Sequence, residues 1–272
     1  MDKDTIAFIG GGNMARSLVG GLVARGRAAA GIRVAEPVPA LREALAADFG
    51  VATFDEATAA AAGAGTWVLA VKPQVMKTVC ESLAPLAQAG RPLVVSIAAG
   101  LTAGQIDGWL GGGQAVVRTM PNTPSLLGAG ATGLFANERV DAAGREAAES
   151  LMKAAGLTAW IPDEALMDAV TAVSGSGPAY VFLMAEAMQA AGEAQGLAPG
   201  TARTLVLQTI LGAARMLSET GEDAATLRKR VTSPGGTTQA AIESFEANHF
   251  RRIVHEAIAA ATERGRALSA GG

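Results

Sequence analysis

The segment Arg230-Val231-Thr232-Ser233-Pro234-Gly235-Gly236-Thr237-Thr238 puts small polar residues, glycines and a rigid proline between two helical patterns. Asp223 to Arg230 reads as a short helix and Gln239 to Asn248 as another, so the loop delivers Gly235, Gly236, Thr237 and Thr238 onto a helix start. Backbone N–H groups at such a start have no internal acceptor and favour a carboxylate or a phosphate. The plain alternative is an N-cap with a turn in front of it.

A second candidate lies at the other end of the chain. Thr5-Ile6-Ala7-Phe8-Ile9 is an apolar run of strand length, followed by Gly10-Gly11-Gly12-Asn13-Met14-Ala15 and an amphipathic run to Arg25. Strand, glycine turn and helix in this order satisfy the dinucleotide fingerprint. Gly10 makes the turn, Gly12 lets the backbone approach a pyrophosphate, and Ala15 is the small residue at the helix–strand contact. A second strand candidate, Ile32-Arg33-Val34-Ala35, ends at Glu36, about 20 residues past the last glycine-like position, where an acidic ribose ligand belongs. A carboxylate there bonds a free ribose 2′-hydroxyl and repels a 2′-phosphate, which leans towards NADH. Against this, Glu36 can point to solvent while Arg33 or Arg42 serves a phosphate.

Other chemistries find little support. His249 and His255 have no cysteine or second histidine at metal-ligand spacing, so no metal is expected. Ser174-Gly175-Ser176-Gly177-Pro178 lacks the strand-to-helix framing of a hydrolase elbow and reads as a helix break, with Ser176 capping a helix that begins near Pro178. No lysine occurs between Lys153 and Lys229. Hydroxyacid dehydrogenases of this two-domain plan commonly draw a general acid or base lysine from that region, whereas a protonated imine takes hydride with positioning alone. The residues favour a C=N substrate over a C=O one.

The elements that must position these groups fall into two textures. Up to residue 163, short β-rich runs (66–71, 93–97, 115–118) alternate with helical segments, which implies a parallel sheet flanked by helices. Several runs end in polar or glycine turns, at Lys72-Pro73-Gln74, Ser96 to Gly100 and Arg118 to Pro124, where an open α/β sheet binds ligands. Beyond Asp163, a candidate N-cap, long alanine-rich patterns suggest five or six helices. The expected organisation is α/β: a Rossmann-type dinucleotide-binding domain over 1–163 and an all-α domain over 164–272 for dimerisation and substrate binding. Helices this apolar suggest an obligate dimer, the alternative being a bundle packed only on itself.

Half of the 272 residues are hydrophobic and the formal net charge is -3, which disfavours nucleic-acid and anionic-membrane partners. The single cysteine, Cys80, suggests a reducing compartment and a packing role. No export signal is visible, and the longest uncharged run, Thr119 to Asn137, carries helix-breaking prolines and glycines, so a cytoplasmic protein is expected.

Taken together, the motifs resemble the pyrroline-5-carboxylate reductase family over essentially the whole chain. The residues that carry the resemblance are Gly10 to Ala15, Val71-Lys72-Pro73-Gln74, Arg118 to Pro124, Ser174 to Tyr180 and, most specifically, Val231 to Thr238. The resemblance implies reduction of (S)-1-pyrroline-5-carboxylate to L-proline by NAD(P)H, the last step of proline biosynthesis. It implies a substrate carboxylate held by Ser233, Gly235, Gly236, Thr237 and Thr238, with the Thr238 hydroxyl on the ring nitrogen. It places Gly10, Gly11, Gly12, Asn13, Met14, Glu36, Val71, Lys72, Pro73, Ala98, Ala99 and Asn122 on the cofactor side. It also implies a dimer or a dimer-based ring, and a family habit of NADPH that sits uneasily with Glu36. Two rivals stay open: a related imine or hydroxyacid reductase acting on another small acid, and a nucleotide-sensing protein without turnover.

Overall fold

The structure, a computed structural model, describes residues 2–270. Its elements run β1 (Asp2–Ile9), α1 (Asn13–Ala24), β2 (Ile32–Ala35), α2 (Pro39–Phe49), β3 (Ala52–Phe54), α3 (Ala57–Ala61), β4 (Ala64–Leu69), α4 (Pro73–Gly90), β5 (Leu93–Ser96), α5 (Ala103–Trp109) and β6 (Ala115–Met120). There follow β7 (Gly130–Ala136), α6 (Ala142–Lys153), β8 (Gly156–Trp160), α7 (Met167–Val170), α8 (Gly177–Ala194), α9 (Pro199–Glu219), α10 (Ala224–Arg230), α11 (Thr237–Ala247) and α12 (Phe250–Ala270).

All eight strands form one sheet in the order β3-β2-β1-β4-β5-β6-β7-β8. Every pairing is parallel except β6 with β7, which is antiparallel. The expected parallel sheet is therefore extended by an antiparallel strand and by β8. Helices cover both faces, so alternate strand residues bury into two separate cores. Phe8, Val68, Val95 and Val117 face one with α1 and α6; Ile9, Trp67, Val94 and Val116 face the other with α4 and α5. Burial on both faces is why these strands read as near-continuous apolar runs. Strand β7 hid inside the glycine-rich Thr119 to Asn137 stretch because its residues carry little β-propensity.

Cys80 lies fully buried in the second core, where desolvation pushes its thiol up to about 12 and leaves it without thiolate character. Asp163 accepts the Ala165 N–H at 2.9 Å and caps a single 3₁₀ turn, Glu164–Leu166. The expected break at Ser174–Pro178 is a π-turn, Thr171–Gly175. Ser176 has helical φ and ψ and so cannot cap; Thr171 and Ser174 instead donate their hydroxyls to carbonyls four residues back, at 2.9 and 3.0 Å.

The chain forms two compact units. One runs through Ser176 and takes in the chain from Ala261 onward; the other is Gly177–Ala260. The expected boundary at 163 thus falls inside the first unit, because Glu164 and Asp168 are tied to β6 by charge. The second unit is all helix. Among its described residues the buried apolar side chains are Ala202 and Leu227, while Phe182 and Leu183 stand 65% and 66% exposed and the 18-residue α8 buries none of its residues. Such a unit does not close a core on itself, and contiguous apolar surface of this kind marks an association face. Replacing Phe182 and Leu183 together by glutamate should shift the light-scattering mass towards that of a single chain; an unchanged mass would place the association face elsewhere.

Candidate active site

The strand order reverses between β1 and β4, and the crevice at their carboxyl ends is where open α/β sheets bind ligands. There the chain turns through Gly10, whose φ of +106° suits glycine alone, and whose added Cβ would lie 2.7 Å from the Ala70 carbonyl oxygen. Val71 sits beside it, its nitrogen 3.1 Å from that Cβ position. Gly12 differs: nothing lies within 4 Å of its Cβ position, so it faces open space. It is the N-cap of α1, with no side chain capping the helix start that Asn13 and Met14 open. Backbone donors and clear space together form a cradle for an anion such as a pyrophosphate, so these residues fit a dinucleotide.

Glu36 is buried at 7% exposure and does not turn to solvent. Its two carboxylate oxygens accept the Gly11 N–H at 2.9 Å and the Val38 N–H at 3.0 Å. The acid at the end of β2 is therefore built into the glycine loop. Arg42 reaches the same turn, donating to the Glu36 and Pro37 carbonyls at 2.7 and 2.9 Å, whereas Arg33 is spent on the Ala62 carbonyl at 2.7 Å. Of the two arginines weighed for a phosphate, Arg42 stands beside Glu36.

The neighbouring strand ends supply the rest of the rim. Lys72, exposed, precedes Pro73 at the first position of α4 and makes no ion pair among the described residues. After β5, the buried Ala98 donates its N–H to the Ser96 hydroxyl at 3.3 Å, and Ala99 is exposed. After β6, the Asn122 amide is tied within the protein at both ends: Nδ2 donates to the Ser174 carbonyl and Oδ1 accepts the Ala131 N–H, both at 2.9 Å. Asn122 braces the loop, with one of its two amide N–H groups and one lone pair used in doing so.

Sequence reasoning passed over the ion cluster beneath this rim. Arg118, 4% exposed on β6, lies 3.3 Å from Glu164 and 3.7 Å from Asp168. Glu164 also accepts the Ala103 N–H at 2.7 Å, and Asp168 the Ser269 hydroxyl at 3.0 Å. The available signal was a charge inside the apolar run Ala115-Val116-Val117-Arg118, which demands a buried partner.

In the second unit, Ser233-Pro234-Gly235-Gly236 forms a turn closed by the Gly236 N–H on the Ser233 carbonyl at 3.0 Å, with Gly235 at φ +69°. Proline second and glycine third with positive φ are the marks of a type II turn. Helix α11 then starts at Thr237 behind Gly236, again with no side-chain cap. The Gly235 N–H is taken by Gln239 Oε1 at 2.7 Å. Among the described residues, the Thr237 and Thr238 N–H groups and the half-buried Thr238 hydroxyl have no hydrogen-bond partner.

A Rossmann-type domain with a glycine turn and a buried acid at the end of β2, joined to an apolar helical domain, defines an NAD(P)H-dependent oxidoreductase that self-associates. Residues 5–100 match the family model of coenzyme F420-dependent NADP oxidoreductases, and residues 164–268 that of pyrroline-5-carboxylate reductase dimerisation. A Pseudomonas aeruginosa protein named pyrroline-5-carboxylate reductase is 51% identical over 269 residues, spanning 99% of this chain and 98% of its own. A solved pyrroline-5-carboxylate reductase from Coxiella burnetii is 46% identical with a TM-score of 0.95, covering 98% of this chain and 99% of its own. The Plasmodium falciparum pyrroline carboxylate reductase, solved with NADP bound, is 29% identical with a TM-score of 0.85, covering 99% of each chain. The chain belongs to the pyrroline-5-carboxylate reductase family.

Two glycines separate folding from binding. Gly10→Ala should lose roughly 1–3 kcal/mol of stability through strain and clash, read by thermal unfolding. Gly12→Val should leave the melting temperature in place and weaken NAD(P)H binding about tenfold or more in a fluorescence titration. Unchanged affinity in Gly12→Val would remove the open space from the cofactor site.

Proposed function

We propose that this chain reduces (S)-1-pyrroline-5-carboxylate to L-proline, the last step of proline biosynthesis, in the cytoplasm. The observation that carries the reading is the uncapped start of α11, where a type II turn presents unpaired N–H groups beside the Thr238 hydroxyl. Such a start suits a carboxylate, and a hydroxyl one turn position along suits the imine nitrogen of the same small ring. When bound at the β1–β4 crevice, NAD(P)H supplies the hydride.

The protein's share of the work is placement. Thr237 and Thr238 donate backbone N–H bonds to the substrate carboxylate, with Ser233, Gly235 and Gly236 shaping the turn that exposes them. The Thr238 hydroxyl bonds the ring nitrogen and fixes which face of the C=N bond is presented. An iminium carbon already carries the positive charge that hydride neutralises, so orientation rather than a protein acid governs the rate. The absence of lysine from 154–228 accords with that. On the cofactor side, Gly10 to Met14, Val71 to Pro73, Ala98, Ala99 and Asn122 line the crevice, and the exposed Lys72 ammonium would suit a cofactor phosphate.

The family model for dimerisation begins at residue 164, which supports 163/164 as the functional boundary even though the first compact unit continues to Ser176. The dimer is the basic assembly, and dimers joined into a ring are its expected extension. Among the described residues no helix is long and apolar enough to cross a membrane. Glu36 favours NADH, since a 2′-phosphate beside a buried carboxylate is repelled, while the Arg42 guanidinium on the same turn would offset part of that repulsion.

Oxidation of NADH or NADPH, followed by absorbance on addition of 1-pyrroline-5-carboxylate, tests the reaction; no oxidation by folded dimer would end this reading. Thr238→Ala should cost on the order of 1–3 kcal/mol in kcat/KM with little change in melting temperature. Unchanged kinetics would take the hydroxyl away from the ring nitrogen. Glu36→Gln should move the NADH:NADPH ratio of kcat/KM about tenfold towards NADPH, the effect of removing one opposing charge worth about 1.4 kcal/mol. A constant ratio would make Glu36 a structural acid only.

A further inference from the structure

We propose that Gln239 is the positioning residue of the substrate carboxylate site, an assignment that rests on the reading of the α11 start given above. Its side chain fastens the preceding turn to the helix. Oε1 accepts the Gly235 N–H at 2.7 Å, while Nε2 donates to Glu243 Oε1, one helical turn further on, at 2.7 Å. The Gly236 N–H is closed on the Ser233 carbonyl. Every backbone donor of the turn's third and fourth residues is thereby consumed inside the protein. Those left over belong to the first turn of α11.

The orientation of one peptide decides the charge presented there. In a type II turn the central peptide, here Pro234–Gly235, is flipped relative to type I, and proline at the second position accepts both forms. Proline followed by glycine favours the type II form, but glycine visits positive and negative φ alike, so these two residues alone do not lock the flip. Gln239 does, because its amide oxygen needs the Gly235 N–H turned towards α11. In a trans peptide the carbonyl points opposite to the N–H. Reversal would swing the Pro234 carbonyl, with its partial negative charge, towards the helix start where the carboxylate is to bind. Gln239 therefore keeps an acceptor out of an anion site without touching the anion, and Glu243 sets the sense of the Gln239 amide by accepting from its NH₂ end.

Gln239→Met keeps the length of the side chain and removes both hydrogen bonds; Glu243→Ala removes only the outer one. Both positions are on the surface of the helix, and thermal unfolding checks that each variant is folded. In Gln239→Met the KM for 1-pyrroline-5-carboxylate should rise about five- to tenfold, the loss of one hydrogen bond's worth of ordering. The KM for NAD(P)H should not move, and kcat should change less than twofold. Glu243→Ala should shift the substrate KM in the same direction by about two- to threefold. Hydrogen–deuterium exchange, followed by mass spectrometry on peptides covering residues 231–240, gives a reading free of turnover: these amides should exchange faster in Gln239→Met than in the unmodified chain.

Unchanged exchange would overturn the clamp. Faster exchange with an unchanged substrate KM would overturn its positioning role, and a lowered KM would show instead that the side chain competes with substrate. If the unmodified chain fails to oxidise NAD(P)H with this substrate, the proposed function falls and takes the substrate role of Gln239 with it, while exchange still decides whether the clamp exists.

Discussion

The guanidinium of Arg118 is the constraint on which the first unit depends. A charge buried to 4% exposure survives only where opposite charge and hydrogen bonds surround it, and removing one partner of such a group costs about 3–5 kcal/mol. Glu164 and Asp168 supply the charge. Each carboxylate is also committed elsewhere, Glu164 to the backbone at the start of α5 and Asp168 to Ser269 near the end of α12. One side chain on β6 thus fixes the start of a helix, the 3₁₀ turn and α7, and the last turns of the chain. Both rim loops that leave β5 and β6 are anchored at their bases by this cluster.

Above that base, the single turn between β1 and α1 uses glycine in two different ways. At Gly10 the backbone conformation and the Ala70 carbonyl leave no room for a side chain, so glycine is a condition of folding. At Gly12 the protein leaves space unfilled, so folding alone does not demand glycine there. Glu36 lies between the two, holding Gly11 in the loop through its carboxylate.

The helical unit shows how incomplete a fold can be in one protomer. Its helices are well formed, yet Phe182, Leu183, Leu205 and Leu211 remain largely in water. Hydrophobic burial that a domain of this size requires has to come from another copy, in keeping with a family model named for dimerisation.

Much of this was legible locally. The strand–glycine–helix start, the acid closing β2, the Asp163 cap and the Pro-Gly-Gly turn are decided by residues within one turn or strand of each other, and each lies where its local chemistry put it. The unlike texture after Asp163 was equally plain, because alanine-rich helices need no partner to declare themselves. What escaped was set by which of several possible partners each group takes in the folded chain. Strand β7 forms from weak β-formers because β6 and β8 lie on either side of it, and the Ser174 region is a π-turn because Thr171 and Ser174 bond back to carbonyls of their own helix. Asn122 became a brace, and Gln239 a clamp, through contacts whose geometry no spacing rule encodes. By itself the sequence determined the classes of element and the identity of the chemical groups, since propensity, capping and turn chemistry act over a few residues. Only the tertiary structure decided which of those groups are spent on the protein and which remain open to a ligand, because that depends on which hydrogen-bond partners folding brings within 3 Å.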